Sequence, residues 1–246
     1  MKLHGKTIVI AGSSSGIGGE VARLARFEGA RVIGIDRNDT VLTLDGFVKM
    51  DLGDPAAIAA LPDRLVDAAG VSGTVNRKVV ARVNYLGLRH LTEALVSSML
   101  KGASIVNIAS ILGADWPHRL DAHKELAAAA SFVLGKAWLH TNPVQQENCY
   151  QYFKEALIVW TKKRSLDLFM QDNIRMNSVA PGPVFTPILG DFVSMLGQER
   201  IDRDSALMKR PALPDEIAGP IVFLLSDDAR WIVGANLPID GGIEAG

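Results

Sequence analysis

The feature that most constrains this chain is an alternation: short β-branched runs take turns with longer stretches of helical periodicity along most of its length. Thr7 to Ile10 reads as a strand and Ile17 to Glu28 as the helix after it. Arg31 to Ile35 and Phe47 to Met50 follow as strands, Pro55 to Ala60 as a short helix behind Asp54, and Arg64 to Ala68 as a weak strand. Val79 to Leu100 reads as a long helix, Ser104 to Ile108 as a strong strand, Tyr150 to Met170 as a helix and Ile174 to Val179 as a strand. Pro214 to Leu225 reads as a helix and Leu237 to Ile239 as a short closing strand. Strands joined by helices of this length need crossover connections, so the strands run parallel and the crossovers are right-handed. Ile8-Val9-Ile10 is apolar at every position, as a strand covered on both faces must be. The expected fold is α/β, a doubly wound (Rossmann) parallel sheet forming a single domain over 1–246, with ligands beyond the carboxyl ends of its strands.

Two stretches break the alternation. Gly113 to Asn148 holds helix-like pieces without a strand, and 113–148 is expected to be an inserted helical segment. Pro187 to Arg210 is partly helical with mixed charge, and 187–210 is expected to be a substrate lid offering Phe192, Met195 and Leu196 as apolar contacts. Both follow strands, so both are expected over the ligand end of the sheet.

Charge and cysteine content narrow the function classes. The 26 basic and 27 acidic residues leave a net charge of −1, which lacks the footprint of a nucleic-acid partner. The single cysteine, Cys149, cannot form an internal disulfide and reads as a reduced, packed thiol suited to a reducing compartment. Met1 to Lys6 lacks the apolar core of a signal peptide, and no apolar run is long enough to span a bilayer. A cytoplasmic protein without a membrane partner is expected. The histidines lack metal-ligand spacing, so no metal is expected.

The first strand ends in Ala11-Gly12-Ser13-Ser14-Ser15-Gly16-Ile17-Gly18. Glycines there permit a tight turn and let the backbone approach a pyrophosphate, while the following helix offers its N-terminal N–H groups and positive dipole end. Gly12, Ser14, Ser15, Gly16, Ile17 and Gly18 are thus candidate cofactor contacts; the bland alternative is a glycine-rich turn without a ligand. Asp36, 18 residues after Gly18, ends the second strand. A carboxylate there accepts bonds from ribose hydroxyls and repels a 2′-phosphate, which favours NAD over NADP; Arg37 offsets part of that repulsion. Asp51 and Leu52 after the third strand are placed to meet an adenine edge, or simply to form a turn before a helix.

Tyr150 and Lys154 are four apart on one predicted helix and share a face. Ser110 stands just past the strand Ser104 to Ile108, and Asn84 sits in the preceding long helix. Oxidising an alcohol requires removal of its hydroxyl proton, and a phenol with a pKa of about 10 is a poor base near neutrality. A nearby ammonium favours the phenolate, so Lys154 is expected to lower the pKa of Tyr150. Ser110 would hold the substrate oxygen, and Asn84 would anchor a water leading protons past Lys154. Each residue also has an ordinary structural reading; their agreement in one chain favours the chemical one.

These residues resemble the short-chain dehydrogenase/reductase family across nearly the whole chain. Gly12, Gly16, Gly18, Asp36, Asn84, Ser110, Tyr150 and Lys154 fall in the family's order, Pro181-Gly182 and Thr186 match its segment after the sixth strand, and Asp240-Gly241-Gly242 matches its closing strand. The resemblance implies that Tyr150 is the general acid/base, that Lys154 also binds the nicotinamide ribose, and that Ala69, Gly70, Pro181, Gly182, Val184 and Thr186 contact the cofactor. Ala11 replaces the usual Thr, Asp67-Ala68-Ala69-Gly70 the usual Asn-Asn-Ala-Gly, and Phe153 a common Ser. The 40 positions from Ser110 to Tyr150 are far more than in typical members. The extra segment, with Trp116, Phe132, Trp138, His118, His123 and His140, is similar to that of the 3α-hydroxysteroid dehydrogenase/carbonyl reductase subgroup. Within it, Trp116-Pro117, His123-Lys124-Glu125-Leu126 and the stretch Cys149 to Glu155 resemble members that oxidise aromatic allylic alcohols of the coniferyl type.

The insert's aromatics either wall a pocket for a planar ring or form the core of a helical subdomain. The expected function is NAD-dependent interconversion of a hydrophobic, aromatic allylic alcohol and its aldehyde. The alternatives are a 3α-hydroxysteroid dehydrogenase or general carbonyl reductase and, from another class, a catalytically silent dinucleotide sensor or scaffold. The resemblance also implies a homodimer or homotetramer. The insert is expected to obstruct one common interface, leaving an apolar patch of Ile221, Val222, Phe223 and Leu224 for a dimer through Pro214–Leu225 and the closing strand.

Overall fold

The computed structural model describes residues 1–59 and 70–245; the weak strand expected over Arg64 to Ala68, and Ala69, lie outside them. Strands β1 (Thr7–Ala11), β2 (Arg31–Asp36) and β3 (Gly46–Lys49) pair in parallel in that order, as do β4 (Ser104–Ile108), β5 (Arg175–Pro181) and β6 (Asn236–Ile239). This is the expected Rossmann-like α/β architecture, with parallel sheets flanked by helices.

Strand β1 explains why its sequence is apolar throughout. Ile8 and Ile10 join a core with helix α1 (Gly16–Phe27) and helix α10 (Pro214–Leu225), while Val9 and Ala11 join another with Leu91 and Ile58. Successive side chains point to opposite faces, and both faces are covered. Ile221, Val222 and Leu224 belong to the first of these cores and are at most 4% exposed. They are not the open patch expected from the sequence: a fully apolar helical run has an inner face, and here the sheet takes it. Phe223 is half-buried, with Lys2 over its ring.

A third core gathers the helices around the middle of the chain. The expected long helix is Arg77–Val96: α3 (Arg77–Ala81) passes through a π-helical segment, Arg82–Gly87, into α4 (Leu88–Val96). It stops short of Leu100, which is exposed, so that residue's apolarity was a misleading sign of continuation. The π segment lies against Leu52, whose carbonyl oxygen a Cβ on Gly87 would strike. Helix α7 (Cys149–Asp172) closes on Asn173 in the left-handed region at φ 56°.

The insert folds into α5 (Leu120–Ala128) and α6 (Phe132–Thr141). Buried Arg89 of α4 donates to the carbonyls of Leu126, Ala127 and Ala129, satisfying the acceptors that a helix end leaves open. The segment after β5 forms α8 (Leu189–Leu196) and α9 (Gln198–Asp204), joined at Gly197 with φ 86°.

Candidate active site

A cavity of about 450 Å³ opens beyond the carboxyl ends of β1 to β5. One end is backbone. Gly12 and Gly16 hold φ of 80° and 55°, and a Cβ on Gly18 would run into the carbonyl oxygen of Gly12. The first turn of α1 therefore lies directly on the loop, with its N–H groups towards the cavity and no acidic side chain in that turn. Asp36 fixes the loop, accepting the N–H of Ser14 at 3.0 Å and of Asn38 at 2.9 Å. Arg37, Asp51 and Leu52 complete this end, and Asp51 also accepts the Gly53 N–H at 2.8 Å. Pro181, Gly182, Val184 and Thr186 close the cavity from β5, with the Thr186 methyl against Gly16.

At the centre, Ser110, Tyr150 and Lys154 meet. All three are at least 92% buried. Lys154 Nζ donates to the Ile108 carbonyl at 2.7 Å and lies 5.6 Å from the centre of the Tyr150 ring. Burial pushes the Tyr150 phenol well above its ordinary value, and a side-chain hydrogen bond with Ser110 offsets part of that rise. Desolvation is thus the largest influence on this tyrosine in the resting site, ahead of the hydrogen bond with Ser110. Ser110 Oγ also accepts the Leu112 N–H at 3.2 Å.

Asn84 is fully buried in the π segment, but its amide is occupied: Oδ1 accepts the Val71 N–H at 2.7 Å and Nδ2 donates to the Val71 carbonyl at 2.8 Å. It pins Val71 and, next to it, Gly70, over which both the Asn84 amide and Lys154 Nζ lie. Of the described residues singled out in the sequence as catalytic or cofactor candidates, Asn84 and Ser14 are the two that do not border the cavity.

The other end of the cavity belongs to α8 and its approach. Ile188, Asp191, Phe192 and Leu196 line it, facing Ser72, Val75, Ile111 and Leu112. Phe192 sets its edge against the Tyr150 ring, centroids 5.1 Å apart and planes at 76°. Met195 is turned away onto Gly73, where its sulfur fills the place of an absent Cβ. Ser72 donates to Asp191 at 3.2 Å, a link across 119 residues that the sequence did not reveal.

No residue of the insert lines this cavity. Of the two readings left open for its aromatics, the packing one holds: Phe132 is buried in the third core, Trp138 packs against that core, and Trp116 lies under Lys162. The insert is bound instead by a cluster on α7, the helix that carries Tyr150 and Lys154. Glu155, fully buried beside Lys154, receives Arg119 through both carboxylate oxygens and lies 2.8 Å from His123 Nε2. Burial alone would raise the Glu155 pKa, but the bonds from His123 and Arg119 prevail and hold it below its ordinary value. Cys149 is buried, and burial raises its thiol, as expected of a packed cysteine. Among the described residues there is no cluster of His, Cys, Asp and Glu suited to a metal, and no helix long and apolar enough to cross a membrane.

Comparison with known proteins agrees with this geometry. The family described as enoyl-(acyl carrier protein) reductase matches residues 120–244. The coniferyl-alcohol dehydrogenase of Pseudomonas sp. strain HR199 is 54% identical, covering 99% of this chain and 98% of its own. The 3-alpha-hydroxysteroid dehydrogenase/carbonyl reductase of Comamonas testosteroni is 30% identical, covering 97% and 96%. The crystal structure of the 3-alpha-hydroxysteroid dehydrogenase from Pseudomonas sp. B-0831 complexed with NADH superposes with a TM-score of 0.79 at 29% identity, covering 98% of this chain and 97% of that one. With the fold, the relatives and the ordered motifs in agreement, the chain belongs to the short-chain dehydrogenase/reductase family of oxidoreductases.

Proposed function

We propose that this protein is an NAD-dependent alcohol dehydrogenase acting on a hydrophobic, aromatic allylic alcohol of the coniferyl type. The observation that carries the reading is the meeting of Tyr150, Ser110 and Lys154 at the inner end of the glycine loop. The 54% identical relative supplies the substrate class.

The residues present fit a dinucleotide. A glycine loop that brings bare backbone to the cavity, a helix N-terminus and a carboxylate at the end of β2 are the parts such a ligand requires. Gly12, Gly16, Ile17 and Gly18 would hold its phosphates, Asp36 its adenosine ribose, and Thr186 and Lys154 its nicotinamide end. Asp36 supports NAD over NADP, because a 2′-phosphate would meet its charge. When bound, the nicotinamide supplies the hydride acceptor.

Ser110 orients the substrate hydroxyl towards Tyr150. Tyr150 acts once its phenol has released its own proton to solvent: the phenolate oxygen then takes the substrate's hydroxyl proton, and the adjacent ammonium of Lys154 favours that phenolate. Because the resting phenol is raised, alcohol oxidation is expected to be faster on the alkaline side. Asn84 acts by fixing Val71 and Gly70 beneath Lys154. Residues 187–210 form the lid over the substrate, and the insert, 113–148, buttresses the catalytic helix within one domain.

The insert lies on the α4/α7 face, so assembly as a dimer is proposed through the other edge. There β6 is the outer strand of its set, Leu237 is exposed, and Trp231 is 94% exposed. Light scattering of the wild type is expected to give a dimer and of Trp231→Lys a monomer; a wild-type monomer would refute this interface.

The deciding experiment follows absorbance at 340 nm with coniferyl alcohol and a 3α-hydroxysteroid, each with NAD and with NADP. The expected result is turnover of the aromatic alcohol with NAD. Steroid turnover alone would transfer the assignment to the 3α-hydroxysteroid class.

A further inference from the structure

We propose that Asp191, oriented by Ser72, accepts a hydrogen bond from a phenolic hydroxyl on the substrate ring, at the end remote from the reacting carbon. The proposal rests on the aromatic-alcohol reading above and deepens it. Tyr150 and Ser110 mark where the carbinol must lie. From there the cavity passes the edge of Phe192, 5.1 Å from the Tyr150 ring, and reaches Asp191, the preceding residue of α8.

The surroundings single out this carboxylate. Val75, Ile188 and Leu196 make that end largely apolar. The other acid there, Asp204, is taken by Arg200 at 2.6 Å. Among the described residues Asp191 forms no ion pair, and it accepts a hydrogen bond from Ser72 Oγ at 3.2 Å. Ser72 is itself fully buried and lies 2.6 Å from Thr74 Oγ1, so it anchors the exposed Asp191 at the rim of the cavity. A carboxylate at that place, which offers only acceptor oxygens, favours a hydroxyl donor. It also repels a carboxylate, which separates an aromatic alcohol and aldehyde from the corresponding acid.

The test compares kcat/KM for 4-hydroxycinnamyl alcohol and for cinnamyl alcohol, which lacks the phenol, in the full chain with NAD. A preference of about tenfold for the phenolic alcohol is expected, modest because the acceptor sits at the rim. Asp191→Ala should bring the ratio near one, Asp191→Asn should retain part of it, and Ser72→Ala should reduce it without abolishing it. Both alcohols oxidised with a ratio near one in the wild type, or a ratio unchanged in Asp191→Ala, would overturn the role of Asp191 alone. Oxidation of neither would overturn the aromatic-alcohol reading and this inference with it. Because the readout is a ratio within one variant, loss of active protein does not imitate the effect.

Discussion

Two long segments interrupt the regular alternation of this chain, one after β4 and one after β5, and sequence alone placed both over the ligand end. The structure separates them. The segment after β4 becomes α5 and α6, buries His123 and Leu126 completely, and is anchored to α7 by the carboxylate of Glu155. The segment after β5 becomes α8 and α9; α8 buries no residue fully and lines the cavity. One is a buttress and the other a cover. The difference teaches that position after a strand does not by itself bring a segment to the ligand. A segment that can bury a large apolar and ionic contact elsewhere does so, and one with little to bury stays at the opening.

The comparison is broken most forcefully at the buttress. His123→Ala removes a buried hydrogen-bond partner of a buried carboxylate that keeps Arg119; a bond to a charged group is worth about 1.5–3 kcal/mol, and the cavity left by the ring adds to that. The expected result is a large fall in the urea midpoint, with the substrate preference of the remaining folded enzyme unchanged; a changed preference would mean that the insert reaches the substrate after all. Leu126→Ala, at a fully buried position, is expected to cost about 2–5 kcal/mol in the same assay. Acid is a gentler probe. The Glu155 pKa is depressed in the folded state, so its contribution is complete above the ordinary carboxylate value of 4.5 and is lost as pH falls through the lower folded value. Urea midpoints between pH 6 and 3 should therefore fall more steeply in the wild type than in Glu155→Gln.

At the centre, between the two segments, Ser110→Ala removes the bond that offsets the raised tyrosine. The ascending limb of the alcohol-oxidation profile is expected to move to higher pH, with the rate at neutrality falling by about 10²-fold as proton transfer loses its orienting group. A profile that only falls in height would show that Ser110 positions substrate without tuning Tyr150.

How much of this was legible follows from the range of each contact. The glycine loop was legible because its constraint is local: no other residue fits at Gly18, where a Cβ meets the carbonyl of Gly12 only six residues earlier. Tyr150 and Lys154 were legible because helical spacing alone puts them on one face. Glu155 was not, since a glutamate in a helix ordinarily reads as solvated, and what buries it is a pair of partners 36 and 32 residues upstream. The Ile221, Val222 and Leu224 run was misread for a related reason: apolarity identifies what wants covering but not whether the same chain already covers it. The raised Tyr150 was missed because spacing reports the neighbouring charge, whereas desolvation depends on everything packed around the ring.

The smallest expected effect lies on the cover. Leu196→Ala removes an incompletely buried side chain from α8, so stability should change by no more than about 0.5 kcal/mol. Its apolar surface faces the cavity, however, and burial of a few methylene-sized groups against a bulky ligand is worth about 1–2 kcal/mol. The KM for an aromatic alcohol should rise about five- to thirtyfold, while that for a short aliphatic alcohol, which does not reach α8, should change little. Met195→Ala provides the internal contrast: its sulfur lies on Gly73, outside the cavity lining, so it should affect lid stability more than substrate preference. If Leu196→Ala instead unfolded the protein at lower urea with an unchanged KM, α8 would be a second buttress, and the division between the two segments would fail at its weaker member.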